Sequence, residues 1–277
     1  MSEVLEVQNL CKFRPDGFFL NGISFTLEEG RIMGFIGRGG SGKTTALKAI
    51  VNLIRPDAGG VRVFGLNFAE NERTVKQRMG ISIAPSHPFG KKKISEIIAA
   101  TRPFYDTWDE EEHRKYMARF DLDPAKTPEK LTEGGRIRLK LALAMSHRAR
   151  LLILDEPTGG LDPVSADDLM DIFWYLRTQG IAILLATQSP SVVEKCCDDL
   201  VYIRGGRIIE AEPLADFIAF HRHMGAGDKL EDIIASYEKG GYTSREAWEK
   251  EIRSGGADGA DGAEAEEHPE TVEQPAE

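Results

Sequence analysis

Short apolar runs alternate with turn-forming segments over the first 212 residues. Val4 to Leu10, with partial polar–apolar alternation, reads as a strand, and Phe18 to Leu27 as one or two strands. Arg31–Ile36, Gly60–Phe64, Gly80–Ala84, Leu151–Leu154, Ile181–Ala186 and Leu200–Ile203 are short and bounded by breakers, as buried strands are. Helical spacing appears in Thr45–Leu53, where Ala46, Leu47, Ile50 and Leu53 share a face. Further helices are expected at Lys93–Ala100, Asp109–Phe120, Pro128–Lys130, the segment ending at Met145, Pro163–Thr178 and Ser191–Cys197. Asp109 can cap its helix, with acids following in the first turn. Lys12–Gly17, Arg55–Gly60, Pro85–Gly90 and Pro157–Asp162 read as turns or loops. Gly205-Gly206 is a hairpin turn with Arg207–Glu210 returning.

Strands alternating with helices predict an α/β fold. Its N-terminal part is β-rich and curled, and a small helical insertion begins at Lys91. The expected organisation is one domain over 1–212 with a helical subdomain at about 91–145. A helical extension over 213–253 and an acidic disordered tail over 254–277 follow. The extension carries three weak amphipathic stretches, Ala215–His223, Lys229–Tyr237 and Thr243–Ile252. His221 and His223, two apart, share no helix face and read as surface residues rather than a metal pair.

The net charge of −10 changes this picture little. Eight acids and no Lys or Arg lie in Ser254–Glu277, so the remainder is near −2. No basic face suggests nucleic acid as a partner, although Lys91–Lys93 form one small cluster. Cys11, Cys196 and Cys197 make neither a disulfide scaffold nor a metal pattern, which suits a reducing compartment. No apolar run approaches 18 residues, so no membrane span is expected.

Candidate chemistry begins at Gly34–Thr45. Gly37, Gly40, Gly42, Lys43 and Thr44 have the spacing of a phosphate-binding loop between a strand and a helix. Gly37, Arg38, Gly39, Gly40, Ser41 and Gly42 supply an uncrowded backbone whose N–H groups can turn toward one anion. Lys43 would reach the terminal phosphates, and Thr44 would place a hydroxyl on Mg²⁺, with Thr45 continuing the helix. Leu151–Leu154 delivers Asp155 as a second Mg²⁺ ligand and Glu156 as general base for water. Gly134 and Gly135 at a helix mouth offer N–H groups to another phosphate. Phe13 either stacks on a nucleobase or fills the core.

Together these blocks resemble the ATPase subunit of ABC transporters over roughly Leu5–Glu212. The resemblance implies a P-loop NTPase fold with a mixed sheet, an antiparallel β-subdomain and a helical subdomain. It makes Lys43 and Thr44 the Walker A pair, Phe13 the adenine-stacking aromatic, and Leu131–Gly135 the signature, with Thr132, Gly134 and Gly135 completing a partner's ATP site. Leu151–Glu156 becomes Walker B and Gly159–Pro163 the D-loop, with Asp162 as its aspartate. The implied partners are a second ATPase subunit, facing head to tail, and a separate integral-membrane permease. The chain would work in the cytoplasm at the inner face of the membrane. Phe104–Asp109 and Phe120–Pro124 look like the bacterial exporter branch near YtrB and the bacitracin-resistance ATPases, whose cargoes include peptides. Phe89–Lys93 would lie near the groove that receives the permease.

The sequence departs from that pattern. Ala84, or Ser86 under another alignment, stands where the family has a Gln. Thr132 replaces the signature serine, Glu133 the next glycine, Gly159 the D-loop Ser or Ala, and Gln188 the switch histidine. Gln188 can donate a hydrogen bond to phosphate but carries no charge. Glu133 could set a carboxylate against the opposite triphosphate unless it turns away. A heterodimer with unequal sites and a homodimer that dispenses with Gln and His both follow. A regulatory ATP-binding subunit and an ATPase acting on ribosomes or DNA are the alternatives.

Overall fold

The computed structural model describes residues 2–83, 91–223 and 227–239. In chain order it begins with β1 (Glu3–Phe13), β2 (Phe19–Glu28), β3 (Ile32–Ile36), α1 (Lys43–Ile50), β4 (Ala58–Val63), β5 (Leu66–Asn67), α2 (Glu72–Lys76) and β6 (Met79–Ser82). Then come α3 (Ile94–Thr101), α4 (Glu110–Arg119), α5 (Glu133–Ser146), β7 (Leu151–Asp155), α6 (Pro163–Thr178), β8 (Ala182–Thr187) and α7 (Pro190–Cys196). β9 (Asp199–Arg204), β10 (Arg207–Pro213), α8 (Leu214–His223) and α9 (Leu230–Glu238) close the described chain.

The principal sheet has the order β10-β9-β3-β8-β7-β6 and is parallel except for the antiparallel β10 edge. A second sheet, β2-β1-β4-β5, is antiparallel. This is the mixed α/β P-loop fold with a β-subdomain that the sequence led us to expect. The central strands are buried throughout, and apolar up to Asp155 and Thr187 at their carboxyl ends, because both faces are covered. On β7, Leu151 and Ile153 join the core toward α1 and the β-subdomain, while Leu152 and Leu154 join the core toward α5 and α6. β8 alternates in the same way, with Leu184 on one side and Ile183 and Leu185 on the other. Each such side chain, fully buried, contributes roughly 1.5–3 kcal/mol.

The capping expectations hold: Asp109 accepts from the N–H groups of Glu111 and Glu112. Several other expectations need correction. β1 runs on through Lys12 and Phe13, so the turn begins only at Arg14, where Arg14 N donates to Phe18 O at 2.8 Å. α1 stops at Ile50, Asn52 adopts a left-handed backbone (φ 58°), and Leu53 is left 58% exposed. β5 and α2 are too short to leave a period in the sequence.

The C-terminal extension is not a weakly packed surface element. α8 and α9 cover β9 through Phe217, Leu230, Ile233 and Tyr237, packed on Val193, Leu200 and Tyr202. His221 is buried, donating from Nδ1 to Phe217 O and meeting the Tyr237 hydroxyl at 2.9 Å through Nε2. It is therefore a core histidine rather than a surface residue, because α9 folds over the face that α8 alone would expose. His223 stays exposed. The stretch Thr243–Ile252, the 254–277 tail, Ala84, Ser86, Phe89 and Gly90 fall outside the described residues.

Candidate functional site

In open parallel sheets, ligands bind beyond the carboxyl ends of the strands. β3 and β7 flank β8, with Ile36 opposite Thr187 and Asp155 opposite Ala186. Residues that follow these three strands are thereby delivered to one edge of the sheet. After β3 the chain turns through Gly37–Gly42 into α1. A Cβ on Gly37 would stand 2.3 Å from Ile203 O, so no larger residue fits beneath the loop. Gly42 holds φ 111°, and a Cβ there would lie 2.6 Å from Cζ of Phe18. Only glycine meets both demands at Gly42.

A cavity of about 260 Å³ opens on this loop, lined by Gly39, Gly40, Gly42, Lys43, Thr44 and Thr45 with Arg14, Phe18, Glu156 and Gln188. Lys43 is buried and its Nζ donates to Gly37 O at 2.6 Å and Arg38 O at 3.2 Å. Burial holds the Lys43 ammonium below its ordinary pKa, against the opposing pull of Glu156 and Asp155. Its Nζ lies 3.8 Å from Glu156 Oε1. Thr44 Oγ1 donates to Asp155 Oδ2 at 2.8 Å. Burial raises the Asp155 carboxyl, partly offset by that hydrogen bond.

Three buried oxygens here have no hydrogen-bond partner in the protein: Ser41 Oγ, Asp155 Oδ1 and Glu156 Oε1. Such groups are costly in a finished core and ordinary where a ligand completes the site. Asp155 Oδ1 beside the Thr44 hydroxyl offers two hard oxygen donors, the set that suits Mg²⁺ shared with phosphate. Glu156 adopts φ 47°, unusual for a side-chain-bearing residue and more so before proline. The strain is held by Glu156 N donating to Ala186 O at 2.8 Å and by Gln188 N donating to Glu156 Oε2 at 3.2 Å. Gln188 also reaches the loop through its side chain, since a Cβ on Gly39 would be 3.3 Å from Gln188 Oε1.

The fold thus brings Gly39, Gly40, Gly42–Thr45, Glu156 and Gln188 around one cavity, with Asp155 tied to Thr44. Arg38 faces away from it and lies 3.3 Å from Glu238. Thr132, Gly134, Gly135 and Asp162 do not line the cavity. Thr132 caps α5, accepting from Gly135 N at 3.1 Å, and Asp162 caps α6 by accepting from Ser165 N. Glu133 turns toward Arg136 at 2.7 Å, which answers the charge problem the sequence raised. Phe13 is 58% exposed and so is no core residue; its N–H donates to Asp57 Oδ2. The aromatic at the cavity is Phe18, which the sequence reading passed over together with Arg14. No contiguous motif marks either: Arg14 lies in the expected Lys12–Gly17 turn and Phe18 at the start of the strand after it.

The family model for ABC transporter matches residues 20–159, which include Gly37–Thr45, Thr132–Gly135, Asp155 and Glu156. The energy-coupling factor transporter ATP-binding protein EcfA of Methanosphaera stadtmanae is 30% identical over 221 residues, 76% of this chain and 80% of that protein. The bacitracin transport ATP-binding protein BcrA of Bacillus licheniformis is 27% identical over 216 residues, 77% of this chain and 71% of that one. A solved structure of an ATP-binding subunit of an ABC transporter superposes with a TM-score of 0.74, covering 84% of this chain and 98% of its own. At 24% identity it speaks for the fold.

Proposed function

The chain belongs to the ABC transporter family as an ATP-hydrolysing enzyme, and we propose that it binds MgATP at Gly37–Thr45 and powers a separate integral-membrane permease. The observation that carries this reading is the pair of buried carboxylate oxygens without a hydrogen-bond partner, Asp155 Oδ1 and Glu156 Oε1, beside the Lys43 ammonium. In our reading Lys43 leaves the carbonyls of Gly37 and Arg38 for the terminal phosphates. Asp155 and Thr44 hold Mg²⁺, which when bound supplies charge neutralisation across the phosphate oxygens. Glu156 takes the proton of the attacking water. Gln188, whose side chain lies against Gly39, hydrogen-bonds the γ-phosphate in place of a histidine.

Thr132, Gly134, Gly135 and Asp162 lie away from this chain's own cavity, which supports a head-to-tail dimer in which they complete the site of a second ATPase subunit. No helix among the described residues is long and apolar enough to cross a membrane. A permease in another chain, with this one docked on its cytoplasmic side, fits that observation. Peptides or antimicrobial compounds are the cargo we propose, by likeness to bacitracin transport ATP-binding proteins. Gln188 favours a second arrangement, in which this chain pairs with a different ATPase subunit and contributes the slower site. Single-turnover hydrolysis by the purified chain and its Glu156→Gln variant tests the reading. We expect a loss of about 10²–10⁴-fold in the variant. Turnover that does not depend on Glu156, with or without the permease, would remove it.

A further inference from the structure

The two ends of the cavity differ. Gly39 and Lys43 face Gln188 and Glu156, which makes that end the place of the terminal phosphate. Gly42 and Thr45 face Phe18 and Arg14 instead. Arg14 Nη1 donates to Thr45 Oγ1 at 3.3 Å, and Arg14 Cζ lies 6.0 Å from the centroid of Phe18. The guanidinium is not free to wander. Arg14 N donates to Phe18 O at 2.8 Å, Gly17 N donates to Arg14 O at 3.0 Å, and Asp16 holds Nη2 at 2.6 Å. Asp16 itself is fixed by accepting from Phe18 N at 3.2 Å. A closed five-residue turn therefore presents one cation at the first turn of α1, with half of its side chain still open to solvent.

We propose that Arg14 is an additional phosphate-binding residue that contacts the α-phosphate of the bound nucleotide. The inference rests on the ATP-binding reading above and adds to it a second cation, on the Thr45 side of the same cavity. A planar guanidinium suits this position, since it can keep Asp16 on one edge while donating to a phosphate oxygen from another. The α-phosphate is the one next to the nucleoside, and Arg14 stands beside Phe18 and Thr45, whereas Glu156 stands beside Lys43. That phosphate is common to ATP and ADP, so the contact strengthens both alike and leaves the preference between them to Lys43.

Equilibrium binding of ATP and of ADP to the full chain without Mg²⁺ tests this, using Arg14→Ala and Arg14→Lys beside the unaltered protein. Arg14→Ala should weaken both nucleotides by the same factor, about tenfold, as expected for one half-exposed charge-assisted hydrogen bond. Arg14→Lys should restore part of that loss, and raising salt should narrow the gap between the variants. The melting temperature of each nucleotide-free variant separates a folding defect from a binding defect. Unchanged affinities in Arg14→Ala would overturn the proposal. So would a loss confined to ATP, which would put Arg14 at the γ-phosphate, and so would a loss that Arg14→Lys does not restore at all. If the unaltered protein bound neither nucleotide, the ATPase reading itself would fall, a result distinct from binding that persists without Arg14.

Discussion

Two regions of this chain bury polar groups, and they do so in opposite ways. Under α8 and α9 the polar groups answer one another. The Tyr202 hydroxyl donates to Glu238 at 2.8 Å, the Tyr237 hydroxyl donates to Glu210 at 3.2 Å, and Arg204 donates to Tyr237 O at 2.6 Å. At the phosphate loop Ser41, Asp155 and Glu156 keep oxygens without a hydrogen-bond partner, and Glu156 bears a strained backbone. A satisfied network stabilises a fold, whereas an unsatisfied one holds a shape for something that arrives later. An ion pair joins the regions, Arg38 of the loop with Glu238 of α9.

The contrast is broken most severely at Lys43. Lys43→Ala removes the only lysine that lines the cavity among the described residues and should weaken ATP by ~100-fold or more. Its effect on the melting temperature of the nucleotide-free protein should be small, because burial already disfavours the ammonium. Titration calorimetry with ATP, paired with a thermal melt, checks both halves. Unchanged ATP affinity would remove the phosphate loop from the argument. Phe217→Ala is the mirror experiment. Phe217 is fully buried, packs 4.2 Å from the His221 ring and stacks on Tyr237. Its truncation should cost about 3–5 kcal/mol of stability, read by denaturant unfolding. ATP affinity of the protein that remains folded should change little. A larger loss of affinity than of stability would mean that the extension supports the phosphate loop directly, through Glu238 and Arg38.

The sequence was most informative where function depends on contiguous residues. Gly37–Thr45 and Leu151–Glu156 are each a strand and the turn after it, so spacing along the chain already implied position in space. The helix mouth at Gly134-Gly135 and the helix from Pro163 were legible for the same reason, whereas the caps that Thr132 and Asp162 supply there were not read. Arg14 and Phe18 were not, because their arrival at the cavity depends on where β1 ends, and β1 runs three residues past the apolar pattern that announced it. His221 was misplaced because its burial comes from α9, sixteen residues from His221 at Tyr237. Leu53 kept helical spacing, but the chain had already left the helix at Asn52.

The smallest effect concerns Asp155, and it has the sign opposite to most buried substitutions. Asp155 is 8% exposed, one of its oxygens has no partner, and burial raises its pKa above the ordinary aspartate value. A carboxyl raised in the folded state favours folding below its unfolded pKa, and that contribution is lost as pH rises through the folded value. At neutral pH the ionised Asp155 therefore weighs against the nucleotide-free fold. Asn keeps an oxygen for the Thr44 hydroxyl and removes the charge. Asp155→Asn should stabilise the nucleotide-free protein by about 1 kcal/mol at neutral pH. The gain should shrink as pH falls below Asp155's raised pKa, where the native carboxyl is protonated as well. The same variant should lose the additional thermal stabilisation that MgATP gives over ATP alone, because a neutral amide is a poor Mg²⁺ ligand. Thermal melts at two pH values, with ATP and with MgATP, read all three consequences. A destabilised Asp155→Asn protein would mean that the carboxylate is held as firmly as the polar groups under α9, and the distinction between the two regions would fail at its centre.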